Sequence, residues 1–445
     1  MPKITSAFAK FVLLLLISTL ILGVLSSWAY LYPRHFNDRL PFYQLRPIHT
    51  SSALFFIISG AVLCIISFSK AALGSDINST TLRVYIASWI VIIIVVFIYY
   101  SLKKFGGREY WVFPGWLALP LLISWSFLMV SYFVNWFKSD KKKPLYIWMW
   151  STGIFFFFLT FIEQNLWQIP WFRQSFIREL TVQWKANGSM VGAWNQMIYG
   201  TSLFIMVKIS GDENIARNKK AFFFYFLGLT NLMFNWGHHI YNLPTNSWIR
   251  HVSYIISMTE WLILISIIRG FKSKLEESRK LKHLISYRFL LAAEFWVFAN
   301  LILALLMSIP AINHYTHGTH ITVAHAMGTT IGINVMILLG AIGYHLKIDR
   351  ISRSRNRVLM LSFLTVQASL FIFWSSLIVA GLLKGYRSAV LDISIFQEVM
   401  KPVNEMLKVF AIAGISLAAG MTIIVSIYWQ QINKCRIDVN ELNKR

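Results

Sequence analysis

The residues of this chain that could do chemistry are histidines within or beside long apolar segments. The richest stretch, 315–327, begins in a loop and runs into the apolar segment 320–346, which carries His325. His238 and His239 stand in a second apolar segment, and His49 opens a third. An ionisable residue inside a membrane is costly and marks a functional site by default. Because histidine is a common haem and metal ligand, the pattern predicts a membrane-embedded haem protein with a second metal beside the haem.

The composition indicates a polytopic membrane protein built from α-helices. The 445 residues are 56% hydrophobic and 16% aromatic, with a mean hydropathy of +0.57. Apolar runs of about 20 residues, each able to cross about 30 Å of hydrocarbon, recur along the chain with short loops between them. We predict an all-α, integral-membrane domain over 1–445 whose first run is an uncleaved helix. The twelve predicted spans are 11–31, 50–69, 83–101, 111–133, 145–163, 188–208, 219–242, 249–269, 286–310, 320–346, 358–383 and 407–430.

The net charge of +24 is explained by membrane topology. With both termini on one side, the termini and the even-numbered loops carry about twice as many Lys and Arg residues as the other loops, which places them in the cytoplasm. The basic runs 141–143 and 350–357 are therefore interpreted as topology anchors, and no nucleic-acid partner is predicted.

The two cysteines carry no predicted site. Cys64 lies in an apolar segment and Cys435 in the cytoplasmic tail, so neither a disulfide framework nor a cysteine-based metal site is expected. No Cys-x-x-Cys-His motif occurs, and any c-type haem would therefore belong to another chain.

The predicted topology places the polar residues of five spans at one depth. His49 opens an inward-running helix, and His238 and His239 end an outward-running one. The inward-running sixth, eighth and tenth spans carry the other members. All of them fall in the outer half of the membrane: His49, Asn187, His238, His239, Glu260 and His325.

Helical spacing divides these residues between cofactors. On an α-helix His238 and His239 are about 100° apart, close enough for both to bind one metal. His325 and Met327 are about 200° apart, so they would serve two haems on opposite sides of one helix. His49 would complete the far side of one of them. Packing is the usual role of a membrane methionine, and only the pairing with His325 and His49 favours a ligand.

Other ionisable residues have simpler interpretations. Glu294 fits a position near a cytoplasmic helix end. His314, His317 and His320 border the haem region, where hydrogen bonds to haem propionates or backbone are expected. Surface or interfacial positions are predicted for His35, His251, His283 and His345.

These residues together resemble a known family. The chain is similar, over nearly its whole length, to the large haem subunit of cytochrome c-dependent nitric oxide reductases, a branch of the haem-copper oxidase superfamily. The resemblance implies the twelve-helix bundle of subunit I in that superfamily. It is carried by Arg46-Pro47-Ile48-His49, Gly107-Arg108-Glu109-Tyr110-Trp111, Gly237-His238-His239, Glu260, Tyr315-Thr316-His317-Gly318-Thr319 and His325.

The resemblance implies cofactors and residue roles. A low-spin haem b would pass electrons to a high-spin haem b3 that faces a non-haem iron. His325 would be the proximal ligand of haem b3, and His49 an axial ligand of the low-spin haem. His238 and His239 would bind the iron, and Glu109 would help to hold a calcium ion between the propionates. A c-type cytochrome donor and the bacterial inner (cytoplasmic) membrane are also implied.

The chain departs from the pattern at functional positions. Asn187 stands where the family has a third iron histidine, and Met327 where it has the second axial histidine. Carboxylates of the family fall on Val112, Val191 and Asn195. Two histidines and an amide give a weaker and more open metal site. A methionine ligand raises the potential of a low-spin haem.

Three functions remain open from the sequence. The first is reduction of NO, 2 NO + 2 H⁺ + 2 e⁻ giving N2O and H2O, with Glu260, Asn187, His238 and His239 as the catalytic set. The second is dismutation of NO to N2 and O2, resembling a divergent reductase-like group with an asparagine at the third histidine. That reaction needs no net protons or electrons, so lost carboxylates would cost little. The third is a non-catalytic haem protein that binds NO or O2.

Overall fold

The fold is entirely helical in the part of the chain that the structure describes. This computed structural model describes residues 3–36, 40–74, 77, 79–140, 142–262, 265 and 284–442. Within those ranges the only β-type pairing is an isolated bridge between Arg108 and Trp111. The prediction of an all-α protein is confirmed.

The main helices follow the chain order of the predicted spans. They are α1 (Lys3–Leu31), α2 (Phe42–Leu73), α3 (Ser79–Ser101), α4 (Ala118–Lys138), α5 (Leu145–Gln164), α6 (Phe176–Ser210), α7 (Lys219–Phe234), α8 (Ser247–Met258), α9 (Leu284–Ser308), α10 (His320–His345), α11 (Arg353–Gly385) and α12 (Phe396–Leu442). A π-helical segment, Gly328–Val335, interrupts α10. Short helical turns connect them at Pro33–Phe36, Gly115–Leu117, Leu166–Gln168, Pro170–Arg173, Glu213–Ala216, Asn235–Ile240, Pro310–Thr316, Ile348–Arg350 and Tyr386–Val390.

Nine helices of the described chain are long and apolar enough to cross a membrane. The helices outside this group are α6, α7 and α8. Helix α6 has 35 residues but includes buried amides such as Gln183, Asn187 and Gln196, which lower its hydropathy. Helix α7 has 16 residues, and the end of the predicted span 249–269 lies partly outside the described residues. Twelve spans therefore remain a prediction.

Pairwise packing closes the bundle around α2. Helix α1 packs against both α2 and α12, α11 packs along α12, α5 along α6, and α9 along α10. Helix α2 is the most enclosed candidate span, with 83% of its apolar window buried, against 28% for α9. The helix that carries His49 is therefore central.

Helices α2 and α10 run in the same direction. Gly60 lies against Leu338, whose Cδ1 would be 3.0 Å from a Cβ at position 60, and the Phe68 and His345 rings are 5.9 Å apart. His49 and Met327 each precede the first contact by eleven residues, which is a rise of about 16 Å along the α-helix α2 and a somewhat smaller rise along α10, where the π-helical segment lies. Both residues therefore lie at nearly the same level of the bundle.

Candidate metal and haem centre

A tight turn brings the two adjacent histidines together. Helix α7 ends at Phe234, and Asn235–Ile240 form a 3₁₀ turn, although the sequence predicted a continuous α-helix. Each residue of a 3₁₀ turn advances by about 120°, yet the Nε2 atoms of His238 and His239 are only 3.1 Å apart. The side chains converge from neighbouring positions.

Contacts with α8 hold this turn. Nδ1 of His238 lies 3.2 Å from the Ser257 hydroxyl, and Ser253 donates to the Asn235 carbonyl at 2.6 Å. A Cβ at Gly237 would be 2.9 Å from the Ser253 Cβ. Glycine at this position lets the turn approach α8 closely, which gives a physical reason for the Gly-His-His sequence.

The spacing of the histidine nitrogens fits two ligands of one metal ion. Two nitrogens about 2.05 Å from an ion are about 2.9 Å apart at a right angle and about 3.3 Å apart at the tetrahedral angle. The observed 3.1 Å lies between these values. The described residues contain no group of three or more His, Cys, Asp or Glu side chains that could hold a metal ion. Any further ligand that the described residues supply to this pair would therefore be of another type.

Asn187 offers such a ligand. It is 1% exposed, and neither atom of its side-chain amide has a hydrogen-bond partner in the described chain. Its neighbour Gly188 lies against Trp236, since a Cβ at position 188 would be 2.8 Å from the tryptophan Cβ. A buried amide needs a hydrogen-bond partner, an ion or an ordered water. Asn187 therefore fits the predicted ligand position beside the histidine turn.

A tryptophan that was not among the predicted site residues also supports the pair. The Trp184 ring stacks on His239 with 4.9 Å between centroids and 12° between planes. Trp184 precedes Asn187 by three residues, so both lie on one side of α6. This three-residue spacing is the only signal in the sequence that points to Trp184.

Glu260 is connected to the histidine turn by a hydrogen bond from Asn235, the first residue of the turn. Its Oε1 atom accepts a hydrogen bond from the Asn235 amide at 3.4 Å. Tyr199 of α6 interacts electrostatically with Glu260. The carboxylate that the sequence singled out is thus linked directly to the histidine turn.

His49 is held in the tautomer that suits a haem ligand. Its Nδ1 atom is 3.0 Å from the Thr19 carbonyl of α1, which can only accept a hydrogen bond, so Nδ1 carries the proton. Nε2 then keeps its lone pair for a metal. The ring passes so close to Gly23 that a Cβ there would be 2.8 Å from Cε1.

His325 lies near the histidine pair. His238 and His239 both interact electrostatically with His325 and with His317. The Nδ1 atom of His325 is buried without a hydrogen-bond partner in the described chain. Partly buried Met327 packs beside the core two residues later. The predicted ligands of two haems therefore occupy one short segment of α10.

The turn before α10 is shaped by Gly318 and Thr319. Gly318 has φ of 70°, a left-handed conformation that glycine adopts without strain. Thr319 accepts the Ile321 N–H at 3.3 Å as the N-cap of α10, and Lys384 donates to the Gly318 carbonyl at 2.9 Å. This turn presents His317 to the site, where burial lowers the pKa of its imidazole.

The remaining histidines have varied settings. The ring of His314 packs edge-on to Tyr315, and His320 Nδ1 is buried without a partner in the described residues. His251 is exposed and lies 2.9 Å from the Ser247 carbonyl. His345 packs against Phe68, and His283 lies outside the described residues. Propionate contacts of His314, His317 and His320 stay a prediction.

Glu109 forms an ion pair in this structure. Its Oε1 lies 2.9 Å from Nη2 of Arg46, and the two side chains are 42% and 53% exposed. Ser51 donates to the Tyr110 carbonyl at 3.2 Å, which ties this loop to α2 just after His49, and burial raises the pKa of Tyr110 to about 12. Among the described residues Glu109 belongs to no group of three or more His, Cys, Asp or Glu side chains that could hold a metal ion. A calcium ion there stays a prediction that requires further oxygen ligands beside Glu109.

The residues that depart from the family pattern have uncharged surroundings that suit them. Asn195 accepts a hydrogen bond from the Asn334 amide at 3.3 Å. Val191 is partly buried against the apolar core, and so is Val112, whose carbonyl accepts the N–H groups of residues 106 and 107.

Known proteins match both the sequence and the fold. The family described as "Cytochrome C and Quinol oxidase polypeptide I" matches residues 3–416. A nitric oxide reductase subunit of Stutzerimonas stutzeri is 20% identical over 367 residues, covering 77% of this chain and 74% of that protein. A cytochrome c oxidase subunit 1 homolog of Azorhizobium caulinodans is 24% identical over 352 residues, covering 73% of this chain and 62% of that protein.

A second oxidase subunit and a solved oxidase structure are also similar to this chain. Cytochrome c oxidase subunit 1 of Rhodobacter capsulatus is 21% identical over 318 residues, which is 68% of this chain and 59% of that protein. The chain thus spans less than two thirds of both oxidase relatives. A haem-copper terminal oxidase dimer solved by cryo-EM superposes with a TM-score of 0.69 and 14% identity, covering 96% of this chain and 83% of that one. From this family match and this shared fold, the chain is an integral membrane protein that belongs to the haem-copper oxidase subunit I family, a family of oxidoreductases.

Proposed function

We propose that this protein converts nitric oxide at a centre formed by a high-spin haem and a non-haem metal. The proposed reaction is 2 NO + 2 H⁺ + 2 e⁻ giving N2O and H2O. The observation that carries it is the pair of Nε2 atoms, 3.1 Å apart, in His238 and His239. This pair lies within electrostatic range of His325. The similarity to a nitric oxide reductase subunit supports NO as the substrate.

The proposed cofactors are two b-type haems and a non-haem iron, with calcium as a further candidate. His325 would be the proximal ligand of the high-spin haem, and His49 with Met327 would hold the low-spin haem. His238, His239 and Asn187 would bind the second metal. If bound there, the haem and the second metal would supply the positions that bind NO and the electrons that reduce it. Glu109 would contribute to a calcium site only if propionate oxygens join it.

The protein side chains have separate tasks in this proposal. Trp184 and Ser257 hold the rings of His239 and His238. The Asn235 amide donates a hydrogen bond to Glu260, which lies one hydrogen bond away from the histidine turn and would hold a proton there. General acid catalysis of this type contributes about 10²- to 10⁴-fold in rate. Glu260 would therefore supply protons to the product oxygen.

The wider setting is also proposed. Electrons would come from a c-type cytochrome, in a separate chain or subunit. The domain would occupy 1–445 with both termini in the cytoplasm, in a bacterial inner membrane.

One observation favours dismutation, 2 NO giving N2 and O2, as a second function. Two of the positions where reductases carry carboxylates hold Asn195, bonded to Asn334, and apolar Val191. Neither position can relay a proton by titration. A reaction without net protons or electrons would not need such relays.

The proposal is tested by following NO in solution with an electrode. Haem-loaded, membrane-purified protein should consume NO, and His239→Ala should abolish consumption while both haems remain. His251→Ala is the matched control, since it removes an exposed histidine elsewhere. Loss of NO consumption in the His251→Ala control would contradict the proposal. Absence of NO consumption by wild-type protein with both metal sites full would also contradict it and would leave a gas-binding protein.

A further inference from the structure

The backbone carbonyl of His325 is held by two side chains. The Asn300 amide of α9 donates to this carbonyl at 3.1 Å, and the Thr329 hydroxyl donates to it at 3.1 Å. The same amide nitrogen lies 2.6 Å from the Thr329 hydroxyl. These contacts form a closed triangle around one peptide group of α10.

This triangle lies where the hydrogen-bond pattern of α10 changes. The α-helical part ends at Met327, and the π-helical segment begins at Gly328. Such a change alters the rotation of the helix and often occurs at functional sites. Side-chain donors at the carbonyl just before the change fix the orientation of the preceding residues.

The imidazole of His325 itself is not held by a hydrogen bond in the described chain, since its buried Nδ1 has no partner there. Metal-binding histidines depend on surrounding hydrogen bonds for the orientation of the ring. For His325 the hydrogen bonds from neighbouring side chains are made to its backbone carbonyl. The orientation of this residue therefore depends on the triangle around that carbonyl.

The packing around Asn300 permits little movement. Asn300 is 2% exposed, and a Cβ at Gly328 would lie 2.4 Å from its Oδ1. A Cβ at Gly332 would lie 2.4 Å from Cγ of Trp296, which is on the same helix as Asn300. Two glycines therefore let α9 and the π-helical segment come into direct contact.

We propose that Asn300 is the positioning residue for His325. It fixes the backbone of His325 through its amide, and it thereby limits the directions in which the imidazole could reach the iron of a high-spin haem. The inference rests on the proposed function, because it assumes that His325 is a haem ligand. Asn300 itself touches no reacting atom.

The test is resonance Raman spectroscopy of the reduced, haem-loaded protein, in which the iron–histidine stretching band reports the orientation and hydrogen bonding of the proximal ring. Asn300→Leu should shift or broaden this band. Thr329→Val, which leaves the Asn300 amide on the carbonyl, should give a smaller shift. Asn334→Leu is the matched control, since it removes an equally buried amide that bonds to Asn195, and it should leave the band in place.

The outcomes separate this inference from the proposed function. A wild-type band in Asn300→Leu would overturn the positioning role. If Asn300→Leu does not fold, the two other variants decide. An unchanged band in Thr329→Val, or a shift in Asn334→Leu as large as that in Thr329→Val, would overturn the positioning role. His325→Ala should remove the band, and its persistence there would show that His325 is not the ligand, so that the proposed function fails first.

Discussion

The indole ring of Trp184 lies nearly parallel to the imidazole of His239, with 12° between the planes and 4.9 Å between the centroids. This stacking fixes a ring that has no hydrogen bond to another helix of the described chain, whereas His238 is held through Ser257. The contact connects α6, which carries Asn187, to the histidine turn.

Replacement of Trp184 should weaken the second metal without removing it. Outer partners of metal ligands typically change metal affinity by about 10- to 100-fold, and we expect Trp184→Leu to fall in this range. Metal titration against a competing chelator measures the effect. Trp116→Leu, at a tryptophan that is 55% exposed, should bind the metal like wild type, and equal affinities in both variants would contradict the account.

His238→Ala should remove the second metal but leave both haems. His238 is on the 3₁₀ turn and is not one of the proposed axial ligands, so its loss breaks the metal-binding pair but removes no haem ligand. Metal analysis together with a pyridine haemochrome assay checks this, with about two haems per chain expected in both proteins. One haem per chain in wild type would refute the two-haem arrangement.

Met327→His should lower the midpoint potential of the low-spin haem. Thioether ligation stabilises ferrous haem relative to ligation by two imidazoles, and α2 and α10 place His49 and Met327 at one level. Redox titration gives the potential, and near-infrared spectra should show a thioether charge-transfer band in wild type that the variant lacks. Absence of the band from wild type would make Met327 a packing residue.

Glu260→Gln separates the two candidate reactions. If the enzyme is a reductase, the rate with an electron donor should fall by about 10²- to 10⁴-fold, because the proton donor at the site is lost. Glu294→Gln changes a partly buried carboxylate on α9 and should keep the wild-type rate. An unaffected rate in Glu260→Gln would remove this carboxylate from the mechanism of reduction.

The sequence predicted the fold class because long apolar runs have few alternatives in a membrane. It also placed His49 and His325 in the outer half of the membrane, which stays a prediction. It was wrong about the local geometry of His238 and His239, because helical periodicity cannot show where an α-helix tightens into a 3₁₀ turn.

Other features depend on tertiary contacts that a single sequence does not contain. Neither Trp184 nor Asn300 belongs to a recognisable motif, and their roles appear only when α6 meets the histidine turn and α9 meets α10. The polar character of α6 also has its explanation in tertiary structure. The amide side chains of this helix are buried inside the bundle. They lower its mean hydropathy, so the helix that carries Asn187 does not meet the hydropathy of a membrane span.

The most direct test of the central claim is mass spectrometry of the gases formed from ¹⁵N-labelled NO by the purified, fully loaded protein, with and without an electron donor. The account predicts labelled N2O that forms only with donor, and no O2. Labelled N2 and O2 in equal amounts without donor would replace reduction by dismutation at the same site. No labelled product under either condition would contradict the claim that this centre converts nitric oxide.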